Sequence, residues 1–158
     1  MLQAGADRRT SLRSHRELIA FFEQGIAFNA FLGMRVDQLE AGVCRLHVPF
    51  RPELVGDPFR PALHGGLLSS LADTAGGLAV FSTNELAEVR VSTVDLRVDY
   101  LRPGKPEDVW CDARLLREGN RVAVTSMVVW QGSEDYVCAD CRGVYNVVRK
   151  ERAEGASD

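Results

Sequence analysis

The sequence predicts an α+β protein in which one antiparallel sheet wraps around a single long, buried helix. Three observations carry that expectation. The stretch "PALHGGLLSSLADTAGGLAVFS", residues 61 to 82, is the least polar part of the chain. Six runs outside it have the composition and alternation of strands. A helix so apolar has almost no polar face to show to water, so strands must enclose it. The 158 residues, 46% hydrophobic and 26% charged, suit one globular domain that buries a core without disulfides or a structural metal.

Residues 1–13 and 149–158 are polar and aperiodic, so both are expected to be frayed tails around a single domain at 14–148. "SHRE" at 14 to 17 has the form of a capping box, with Ser14 as N-cap and Glu17 at N3. Leu18, Ile19, Phe22 and Ile26 follow at helical spacing, which predicts a short amphipathic helix ending near Gly25 to Phe28. "GMRVDQLEAGVCRLHVPF" reads as two strands about a turn at Ala41 and Gly42. In the second strand Cys44, Leu46, Val48 and Phe50 share one face, and Arg45 and His47 the other. "RPELVGDPFRPALHGG" holds three prolines and several turn residues, so it reads as a loop delivering the chain into the central helix.

In that helix Leu67, Leu68, Leu71, Ala72, Ala75, Leu78 and Ala79 nearly encircle the axis, while Gly76 and Gly77 permit close approach of a neighbour. Four long strands are expected after it, at about 88–101, 107–118, 121–131 and 135–148. "EGN" at 118–120 and "QGSED" at 131–135 mark the turns between the last three.

Composition also excludes. A formal net charge of -3 with both signs interspersed leaves no footprint for nucleic acid or an acidic membrane. No apolar run reaches the roughly 18 uncharged residues of a membrane span. The N-terminus shows no apolar segment of a secretory signal, so a cytoplasmic protein is expected. Cys138 and Cys141 form a CxxC in "VCADCRG", but a zinc site needs further ligands, and in a strand this odd separation points the two thiols to opposite faces. They, with Cys44 and Cys111, read as small apolar fillers. His15, His47 and His64 are scattered; no metal and no cofactor is expected. Neither a GxSxG elbow nor a GxGxxG fingerprint is present.

Asp73 is the anomaly. Burying a carboxylate without partners costs several kcal/mol, so this one must be hydrogen-bonded, protonated or open to a crevice. It caps a neighbouring backbone, pairs with an arginine, or does chemistry. His64 either closes the loop by a hydrogen bond or serves the same site. A helix beginning at Gly65 or Gly66 presents unpaired N–H groups suited to a carbonyl oxygen that becomes an anion. From Gly66, Asp73 lies seven residues on, about two turns along the same face.

"HGGLLSSLADTAGGLAV" resembles the HGG signature of hotdog-fold thioesterases, in the branch similar to phenylacetyl-CoA thioesterases (PaaI-like). "FLGMRVDQLEAGVCRLHVPF" resembles that family's opening hairpin and "VSTVDLRVDYLRPG" its strand after the central helix. The resemblance covers about residues 20 to 148. It implies a homodimer, assembling to a homotetramer, that hydrolyses an aryl or medium-chain acyl-CoA thioester at a site between subunits. By the same resemblance Asp73 activates water or attacks the thioester. Gly65, with Gly66 beside it, supplies backbone N–H to the carbonyl, His64 orients the site, and Thr93 helps position water.

Many relatives carry an Asn or Gln six residues before the His. Here that position is Pro58, so either Asp57 substitutes or the contact is absent. CoA phosphates need cations, for which Arg102 and Arg121, with Lys105 and Arg117, stand at strand ends or turns. Strand alternation alone places Thr93 with Val91 and Asp95, opposite Leu96, Val98 and Tyr100. The alternative function is a non-catalytic acyl-CoA-binding or regulatory module on the same fold.

Overall fold

The computed structural model describes residues 15–150; residues 1–14, with the Ser14 cap, and 151–158 lie outside the described residues. Arg149 and Lys150, expected in the C-terminal tail, belong to the fold instead: Arg149 ends the last strand, paired with Val89 and bridged to Glu118, and the Lys150 N–H donates to the Glu88 carbonyl at 2.9 Å. Helix α1, residues 15–25, is α-helical to residue 20 and widens into a π-turn over Phe21–Gly25. It buries Leu18 and Phe22. Extended backbone at Ile26 ends it, and a second short helix, α2 (Ala27–Leu32), stops at Gly33 with φ 74°. The sequence pattern gave one helix here. The break is held by Asn29, whose buried side-chain amide donates to the Phe22 carbonyl at 2.9 Å, an acceptor inside the π-turn.

Strands β1 (Arg35–Glu40) and β2 (Val43–Val48) form a hairpin turning at Gly42, φ 75°. In β2 the predicted alternation holds, with Cys44, Leu46 and Val48 buried. The segment expected to be a plain loop is more ordered. It contains a 3₁₀ turn at Pro52–Leu54 and a small antiparallel ladder of β3 (Val55–Asp57) with β4 (Ala62–Leu63). Leu54 and Leu63 are both buried, and their anchoring in the core brings the two short strands together. Helix α3 (Gly65–Phe81) follows directly.

The remaining strands are β5 (Val89–Tyr100), β6 (Val109–Glu118), β7 (Val122–Gln131) and β8 (Ser133–Arg149). The sheet order is β1-β2-β6-β7-β8-β5, antiparallel throughout, which leaves β1 and β5 as edges. Helix α3 packs across strands β2, β5, β6, β7 and β8. Leu71, Ala72, Ala75, Leu78, Ala79 and Val80 have no exposed surface. Truncating such a leucine to alanine costs about 2–5 kcal/mol.

Two bulges correct the expected facing of side chains. β5 pairs Thr93 with Tyr145 and Asp95 with Val144, leaving Val94 as the extra residue. An inserted residue resets the alternation, so Thr93 shares the helix-facing side with Leu96 and Val98 rather than opposing them. In β8 the register slips at Cys138, between Val137 opposite Trp130 and Ala139 opposite Val129. Cys138 and Cys141 consequently both enter the core instead of pointing to opposite faces. All four cysteines are buried free thiols.

Candidate active site

The site is built on α3 and the bulged part of β5. His64 is the N-cap of α3, and its Nδ1 accepts the Gly66 N–H at 2.8 Å. A ring nitrogen that accepts carries no proton, so this geometry selects the tautomer protonated at Nε2. His64 thus orients the loop–helix junction. Gly66 has no room for a side chain, since a Cβ there meets His64 Nδ1 at 2.8 Å. Its N–H is engaged by the histidine, which leaves the Gly65 N–H as the leading donor of the helix start. Tyr100 closes over this end, donating from its hydroxyl to the Gly65 carbonyl at 3.0 Å.

Two turns on, Asp73 is half-buried. Thr93 Oγ1 donates to Asp73 Oδ1 at 2.7 Å, a contact made by the β5 bulge. No arginine pairs with Asp73 among the described residues. The Tyr145 hydroxyl donates to the Asp73 backbone carbonyl at 2.9 Å. Burial first, and then the Asp73 charge, push the Tyr145 phenol well above its ordinary 10.0, so it stays a donor. Gly76 and Gly143 make space for that ring: a Cβ at Gly76 would lie 2.2 Å from the Tyr145 hydroxyl, and one at Gly143 would lie 2.5 Å from its ring.

Asp73 and Thr93 open on a cavity of about 290 Å³ whose walls include Phe22, Ile26, Phe28 and Phe81. A second cavity, of about 350 Å³, lies by the start of α3 and includes His64, Gly66 and Ser70. Thus the structure joins Asp73 with Thr93, and His64 with Gly65 and Gly66, as two separate groups. Eight residues of helix at 1.5 Å each separate Gly65 from Asp73 by about 12 Å.

The other candidates lie elsewhere. Asp57 Oδ1 accepts from the Phe59 and Arg60 N–H groups at 2.9 and 3.1 Å, so it caps the turn between β3 and β4 and lines neither cavity. Arg102 lies two residues past Tyr100, bonded to the Asp135 carbonyl at 3.2 Å and placed over the Tyr136 ring. Lys105 covers the same ring, its Nζ 4.3 Å from the centroid. Arg121 sits at the opposite end of the sheet, where its carbonyl accepts from Val147 N–H. The two arginines therefore do not form one cluster.

Sequence patterns did not single out Phe28, Asn29 or Tyr145. Phe28 and Asn29 belong to a helix that the periodicity did not resolve. Tyr145 follows the ordinary core alternation of β8, and only its contact with Asp73 distinguishes it.

The model of the thioesterase superfamily matches residues 61–138. The medium/long-chain acyl-CoA thioesterase YigI of Escherichia coli is 35% identical over 130 residues, covering 75% of this chain and 84% of that protein. A putative esterase of Halobacterium salinarum is 39% identical over 102 residues, 63% of this chain and 67% of its own. The crystal structure of a Shewanella oneidensis protein related to the thioesterase superfamily superposes with a TM-score of 0.77 at 27% identity, over 87% of this chain and 97% of that one. With the six-stranded sheet around α3, these matches show that the chain belongs to the thioesterase superfamily and has its hotdog fold.

Proposed function

We propose that this protein hydrolyses an acyl-CoA thioester to the free acid and CoA. The observation that carries the reading is the Asp73 carboxylate, held by Thr93 at 2.7 Å and open to an apolar cavity. Thr93 occupies Oδ1, which leaves Oδ2 for a water molecule or the substrate. As general base, Asp73 takes a proton from water while the oxygen attacks the carbonyl carbon. As nucleophile, it attacks directly and forms an acyl-enzyme anhydride that water then opens. In both routes the C–S bond breaks, the thiolate leaves with CoA, and backbone N–H at a helix start meets the developing oxyanion.

That donor and this carboxylate, about 12 Å apart in one chain, cannot reach one carbonyl. The proposal therefore includes a homodimer in which Asp73 of one chain faces Gly65 of the second copy. The exposed edge of β5 supports such pairing, since its free N–H and C=O groups suit a partner strand. Pairing of dimers into a homotetramer, the PaaI-like branch and a cytoplasmic location belong to the same proposal. They rest on the resemblance of the HGG segment to that family. No helix among the described residues is long and apolar enough to cross a membrane. For the acyl group, the name of the Escherichia coli relative favours a medium chain over an aryl group.

A panel of short-chain, medium-chain, long-chain, phenylacetyl and hydroxybenzoyl thioesters, with release of free CoA thiol followed, tests the reading. Turnover of at least one class by a dimer or larger species is expected. Turnover by a monomer contradicts the shared site. Pro58 and the engaged Asp57 favour a second reading, a module that binds acyl-CoA without hydrolysing it. Saturable binding with no thiol release across the whole panel establishes that reading instead.

A further inference from the structure

We infer that Phe28 is a partition that sets how long an acyl chain the site accepts. The inference rests on the acyl-CoA reading above and deepens it. The cavity at Asp73 and the cavity at the start of α3 both run along one face of that helix. Gly66 and Ser70 border one, and Asp73 and Gly77 border the other, at spacings of four, three and four residues. That spacing traces a single helical stripe.

Between the two cavities stands Phe28, the one lining residue, among those described, that belongs to both. Its side chain is carried by α2 and is 55% exposed, so it is a wall and no part of the core. Beyond it the second cavity continues over Leu32, Leu54 and Leu67, surfaces that suit more methylene groups. An alkyl chain gains about fourfold in affinity for each methylene it buries. The gain must stop where the chain meets the Phe28 ring, and it must resume if the ring is removed.

The test uses full-length protein carrying Phe28→Ala or Phe28→Trp. Two profiles are recorded against chain length from butyryl to palmitoyl: kcat/KM on acyl-CoA thioesters, and Kd for the matching S-alkyl-CoA thioethers, which cannot be hydrolysed. For Phe28→Ala the longest chain that still gains affinity is expected to grow by two or more methylenes, a gain of about sixteenfold or more for chains past the wild-type limit. For Phe28→Trp the limit moves to shorter chains. Melting temperature and oligomer size are recorded for both variants, and the profiles are compared on preparations that match wild type in both. Profiles of both variants that superimpose on wild type, a parallel loss at every length, or wild-type affinity independent of length each overturn the partition. Shifted thioether binding without thioester turnover leaves the partition standing and defeats the hydrolysis reading.

Discussion

Asp73, Thr93 and Tyr145 divide the work of holding one carboxylate. Tyr145 fixes the backbone of the helix turn, through the Asp73 carbonyl, while Thr93 fixes the side chain. A hydrogen bond to a charged group contributes about 1.5–3 kcal/mol. Thr93→Val, which keeps the shape and removes the donor, is expected to lower kcat by about tenfold or more, with Thr93→Ser restoring most of it. A Val variant with wild-type kcat would show that the Thr93 contact does not serve turnover. His64 has a different task, because its Nδ1 engages the Gly66 N–H and closes the helix start, which makes the Gly65 N–H the donor in the proposed site. Asp73 itself stood out in the sequence, since a carboxylate within Leu, Ala and Gly demands an explanation. Its partner Thr93 was assigned by resemblance alone; simple alternation grouped it with Val91 but set it opposite Leu96 and Val98, whose face it shares.

At the level of elements, α3 was legible from its nearly uniform apolarity, and the six strands of the main sheet from their alternation and the turn residues between them. The bulges at Val94 and Cys138 were not. A bulge is fixed by the register between two strands, which local composition does not encode. Gln131 shows the same limit: "QGSED" reads as a turn, yet only Gly132 lies between β7 and β8. Gln131 is a buried clamp whose amide donates to the Lys105, Glu107 and Asp108 carbonyls at 2.9, 3.0 and 3.2 Å. The two central glycines of α3 give a direct test of close packing. Gly76→Ala drives a methyl group into the Tyr145 hydroxyl and the Thr125 Oγ1, 2.2 and 2.8 Å away. It is expected to destabilise by about 1–3 kcal/mol in urea denaturation. At Gly77 the nearest such atom, Tyr145 Cε1, is 3.7 Å away. Gly77→Ala is therefore neutral or stabilising, as alanine favours a helix by up to about 1 kcal/mol over glycine. Equal effects of the two substitutions would contradict this packing.

For the molecule as a whole, the core buries weak acids in neutral form. Burial, and then the Asp140 and Asp99 charges, push the Cys141 thiol from 9.0 up to about 12. Burial likewise raises Cys44, Cys111, Cys138 and Tyr145. On unfolding these groups regain their ordinary values and release protons above about pH 9, so the unfolded chain then binds fewer protons than the folded one. Their contribution to stability is complete below that pH and is lost as pH rises through the folded values. Melting temperature is expected to be level from pH 7 to 8.5 and to fall steadily above 9. A melting temperature unchanged up to pH 11 would contradict the neutral, buried thiols.

The proposed hydrolysis depends on the Asp73 carboxylate, which in the proposed dimer faces the helix start of the second copy. One measurement bears on it most directly: kcat of Asp73→Asn on the best thioester of the panel, with oligomer size and melting temperature checked in the same preparation. The variant is expected to remain a folded oligomer of wild-type size with kcat lowered by at least about a hundredfold. Undiminished turnover by that variant would contradict this role of Asp73.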